Sequence, residues 1–81
     1  MTHTAALSAH LWDLRAQAEA KLRCLTRLQQ MVNVYDQTSS PLERTLQHGQ
    51  IVKDVTDLVT ISKALRATAD DAFSAAKNLP E

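Results

Sequence analysis

Three histidines, one cysteine and nine acidic side chains are the residues in this 81-residue chain from which a reactive site would have to be drawn. A helix offers two imidazoles to one metal ion when they stand four residues apart, and His3, His10 and His48 contain no such pair. His10 and Asp13 fall on one helical face, but two ligands are too few for a structural metal. Asp54 with Asp57, and Asp70 with Asp71, supply carboxylates; a general acid also needs a pocket that shifts its pKa, and alanine-rich helices build none. These acids therefore read as a solvated face. Cys24 lies near Lys21, Arg23 and Arg27, and positive charge favours the thiolate. It has no accompanying base, and its place beside Leu25 and Leu28 suits a small buried side chain. No catalytic, cofactor-binding or metal-binding residue is assigned, and a non-enzyme is expected.

Side chains suited to contact are easier to find. Trp12 lies off the main apolar stripe among Ala5, Ala9 and Ala16, and tryptophan is enriched among residues that dominate binding energy. Leu42 and Leu46 project away from the apolar face that follows them. Arg23 and Arg27, one turn apart with Gln30, form a short basic stripe. Trp12, Leu42 and Leu46 are the candidate contacts to another protein, with Arg23 and Arg27 as a polar rim. The alternative for Trp12 is packing against Leu65 or Phe73.

Long helices must carry these residues. In the first half Leu7, Leu11, Leu14, Ala18, Leu25, Leu28, Val32 and Tyr35 recur at steps of three and four, the spacing of a coiled-coil seam. Lys21 can lay its methylenes on that seam with its ammonium in water. Helix 1 is predicted at about residues 4–36. The segment "YDQTSSP" ends it, because Asp, Ser and Thr compete for backbone hydrogen bonds and Pro41 excludes Ser40 from the helical region. Ser40 as N-cap, Pro41 at the first helical position and Glu43 three residues after the cap begin helix 2, predicted at about 41–76.

In helix 2 Ile51, Val55, Leu58, Leu65, Ala69, Ala72 and Ala76 share one face, with Leu42 and Leu46 nearly opposite. The phase changes at Gly49, the only glycine. Three geometries are compatible: a kink or break at Gly49; a straight helix with Leu42 and Leu46 facing outward for a second chain; or a tolerated glycine with Leu42 stapled onto Val34 or Tyr35. A hairpin would also set Gly49 near Leu28, where a missing side chain lets backbones approach.

Composition frames the whole. Residues 1–81 hold one domain at most. Nine basic and nine acidic residues balance, so no net field draws the chain to nucleic acid or an anionic membrane. No apolar run has membrane-spanning length, the start lacks a signal-peptide pattern, and a lone cysteine suits a reducing compartment; a cytoplasmic protein is expected. The expected fold is an all-α, long antiparallel helical hairpin. Because so thin a body stabilises itself poorly, a homodimer completing a four-helix bundle is expected. The expected function is a protein–protein interaction module: an adaptor, chaperone-like protein or inhibitor. The alternatives are a nucleic-acid-binding helical dimer and a structural subunit of a larger assembly.

Overall fold

A computed structural model describes residues 2–80, with side chains from Thr4 onward; the His3 side chain lies outside the described part. Two helices make up the fold, α1 (Thr2–Gln37) and α2 (Pro41–Lys77). They pack side by side as an antiparallel hairpin measuring 62 × 15 × 13 Å. Its radius of gyration is 18.3 Å, where a compact domain of this length would have about 12 Å. The molecule is a rod, and neither helix has more than one neighbour.

The turn forms where the sequence places it. Ser40 adopts an extended conformation (φ −70°, ψ 121°), and its Oγ accepts a hydrogen bond from the Glu43 N–H at 3.5 Å. The carboxyl end of α1 has no basic residue in its last turn, and α2 supplies one across the loop. Arg44 Nη1 donates to the carbonyls of Tyr35 and Thr38 at 3.1 and 2.8 Å, and its guanidinium lies 4.1 Å from the centre of the Tyr35 ring. Gln47 Nε2 adds a bond to Thr38 Oγ1 at 3.1 Å. One cationic side chain thus caps α1 and ties it to the start of α2.

The contact between the helices follows a regular three-and-four spacing and coincides only in part with the stripe read from the sequence. In α1 it consists of Leu7, Leu14, Lys21, Leu28 and Tyr35 with His10, Gln17, Cys24 and Met31, continued by Thr38 in the loop, all buried or half-buried. In α2 it consists of Arg44, Ile51, Leu58, Leu65 and Ala72 with Gln47, Asp54, Ile61, Thr68 and Ala75. Leu11, Ala18, Leu25 and Val32, expected in the seam, are exposed, as are Val55 and Ala76. The reason is geometric. An apolar stripe wider than one contact can be covered only in part by a single neighbour, so the hairpin takes one edge and leaves the other to solvent.

Gly49 neither breaks nor packs the helix. The α2 helix runs through it without interruption, and a Cβ placed there would meet no atom within 4 Å. The expected close approach to Leu28 is therefore corrected: Gly49 sits on the outer side, away from α1. Leu42 is 72% exposed, which also removes the staple onto Val34 or Tyr35. Of the three geometries, the straight helix with outward Leu42 and Leu46 is the one observed.

Candidate interaction surface

The two flanks of the rod differ in chemistry. On one, Leu11, Leu22, Leu25 and Val32 of α1 lie beside Val52, Val55, Val59 and Phe73 of α2, all exposed. Between the helices on this flank runs an open groove of about 600 Å³ whose lining includes Leu25, Leu28, Val32, Ile51 and Val55. These side chains occupy the two heptad rows that adjoin the seam on the same side of both helices, so they form one apolar face rather than scattered spots. Isolated exposed apolar residues are ordinary; a cluster such as Leu22, Leu25, Val32, Val52, Val55 and Val59 on one side of the rod, with Leu11 and Phe73 beyond it, is not.

The opposite flank is polar, and its centre is an ion pair that the sequence did not disclose. Asp54 is 3% exposed. Its Oδ2 accepts from Arg27 Nε at 2.7 Å and its Oδ1 from Gln50 Nε2 at 3.2 Å. The hydrogen bond from Arg27 holds the Asp54 carboxyl below the usual carboxylate range. Desolvation opposes that shift but does not cancel it, since water lies close to every point of a two-helix rod. Reciprocally, the bond to Asp54 raises the Arg27 pKa. Cys24, also 3% exposed, directs its thiol at the Asp54 backbone carbonyl, 3.6 Å away. The expectation that Asp54 lies on a solvated face is thus corrected. Arg27 reaches it from the other helix, and a paired carboxylate with both oxygens bonded can be covered where an isolated one cannot.

The seam carries other polar groups. The side-chain oxygens of Gln17 and Gln47 are buried without hydrogen-bond partners, each an expense of about 1–3 kcal/mol. A contact containing these groups and the Asp54 carboxylate holds the helices in register more than it stabilises them.

The candidate contact residues are not gathered in one place. Trp12 is 66% exposed on the outer side of α1, with the Arg15 guanidinium 5.7 Å from its ring centre. The packing alternative, Trp12 against Leu65 or Phe73 within the hairpin, is not seen. Leu42 and Leu46 are exposed, one turn apart, near the loop. Trp12 and Leu46 are separated along the rod by about 30 Å at 1.5 Å per residue. Arg23 and Arg27 lie on the polar flank, where Arg27 is engaged with Asp54 and so is not a free rim charge. The apolar face is hidden from a reading of spacing alone, because Leu11, Leu25, Val32 and Val55 have the periodicity of interior residues yet are exposed.

Comparison with protein-family models, with curated proteins and with solved structures found no match to this chain. Among the described residues, no three His, Cys, Asp or Glu side chains are grouped to hold a metal ion, and no helix is long and apolar enough to cross a membrane.

Proposed function

We propose that this chain is a non-enzymatic protein–protein interaction module that binds or masks another protein through exposed helix surface, as an adaptor, chaperone-like protein or inhibitor. The apolar face carries the reading. The hairpin exposes 6230 Å² of surface at 9.0 kDa, about 1,400 Å² more than the roughly 4,900 Å² of a compact monomer of that mass. The exposed side chains include Leu22, Leu25, Val52, Val55 and Val59, and exposure of apolar area costs about 25 cal/mol per Å² relative to burial. Protein surface of matching shape is the natural cover for it. Nucleic acid is less well supported, because Arg27 of the basic stripe is already neutralised by Asp54.

Immobilised chain can be compared with two variants: Leu25→Glu with Val52→Glu on the apolar face, and Trp12→Ser with Leu42→Ser and Leu46→Ser on the outer surface. All five side chains are at least two-fifths exposed, so each variant should keep its helicity. The expected result is a saturable protein partner retained from cell extract by the parent chain and lost by one of the two variants. If the parent chain retains no protein selectively, the reading fails.

A further inference from the structure

Resting on the reading of the apolar face as protein-binding, we infer that the cover of that face is a second copy of this chain, laid antiparallel so that the two turns lie at opposite ends of a four-helix bundle. The pattern of the face is its own complement. Along α1 it reads Leu11, Arg15, Ala18, Leu22, Leu25, Gln29, Val32, which is symmetric about Leu22 in apolar and polar character. Along α2 it reads Thr45, His48, Val52, Val55, Val59, Ser62, Arg66, which is symmetric about Val55.

The two centres coincide in space. At 1.5 Å per residue, Leu22 stands about 22 Å from the turn end of α1 and Val55 about 21 Å from that of α2. A twofold axis crossing the rod there serves both helices at once. It sets α1 on its own copy and α2 on its own copy, with Leu22 and Val55 each near its own mate, Leu11 against Val32 and Val52 against Val59. Each arginine then meets an uncharged polar side chain, Arg15 opposite Gln29 and Arg66 opposite Thr45.

The parallel arrangement is poorer. It lays α1 over the partner's α2 at equal height, which brings Arg15 next to Arg66, puts Leu11 against Arg66 and Val32 against Thr45. Like charges and apolar–polar mismatches there disfavour it. Area also suffices. The antiparallel overlap is about 44 Å long and the rod is 15 Å wide, giving roughly 1,300 Å² in total, within the range of specific interfaces. The arrangement satisfies an isologous interface, in which the same patch serves both copies. It leaves Phe73 beyond the overlap, and Trp12, Leu42 and Leu46 on the outer surfaces, available to a different protein.

The test combines mass with orientation. Light scattering and circular dichroism over a wide concentration range should show a helical dimer. Dye pairs attached at Lys77→Cys, in a Cys24→Ala background, should report a separation of about 65 Å in the antiparallel dimer and about 25 Å or less in a parallel one. Leu22→Asp with Val55→Asp should yield monomer. Should that pair unfold the chain, Leu22→Ala with Val55→Ala should weaken the dimer by about tenfold or more at unchanged helicity. A dimer with adjacent dyes, or one that neither pair of substitutions weakens, would overturn the proposal. A helical monomer at all concentrations would overturn it too, leaving the face to a different protein; the capture experiment decides that separately.

Discussion

At the scale of single residues, the informative position is Asp54. Its carboxylate is nearly inaccessible yet charged, because Arg27 and Gln50 supply a donor to each oxygen. Its pKa in the folded chain lies below the ordinary value, so the unfolded chain binds the proton first as pH falls. Stability from this pair is therefore complete above the ordinary carboxylate pKa of about 4 and is lost as pH drops below that towards the folded value. Thermal melts should show a falling midpoint on acidification below about pH 4. In Asp54→Asn the midpoint at neutral pH should be lower and its acid dependence shallower. Equal acid dependence in parent and variant would place the titration elsewhere. None of this was legible in the sequence. Asp54 and Arg27 are 27 positions apart, and only the register of the hairpin brings them together.

At the scale of the helices, most of the architecture could be read in advance. Ser40, Pro41 and Glu43 located the start of α2 to the residue, and the helix-poor segment before them located the end of α1. What the spacing of apolar residues could not give was which edge of the stripe meets the other helix. Periodicity finds the centre of an apolar face; partner geometry decides how that face is divided. The seam is further disguised by His10, Gln17 and Asp54, residues that no hydrophobic pattern selects. Gly49 was misjudged as a packing residue because a missing side chain matters only on an inner side. Since a Cβ there meets nothing within 4 Å and the helix is unbroken, Gly49→Ala should stabilise the protein by about 0.5–1 kcal/mol. Denaturant unfolding at matched protein concentration would measure it. A loss of stability would mean that the backbone bends at Gly49 in solution.

At the scale of the whole molecule, thinness is the governing property. A 62 × 15 × 13 Å rod has no interior remote from water, and among the described residues the buried apolar side chains are Cys24, Leu28 and Ala72. Such a body buries little apolar area on its own and would gain hydrophobic stabilisation from a second layer. Two antiparallel copies overlapping by about 44 Å would extend to about 80 Å, so small-angle scattering on the concentrated protein should give a maximum dimension near that length. A value near 62 Å at twice the monomer mass would instead indicate copies lying in full register.

The thiol of Cys24, held at mid-rod against the carbonyl of Asp54, also makes the molecule its own gauge. At 3% exposure that sulfur should be modified far more slowly than a free thiol, so the speed at which Cys24 reacts reports how often the hairpin opens around it. A partner that clasps the two helices together at mid-rod should slow this clock.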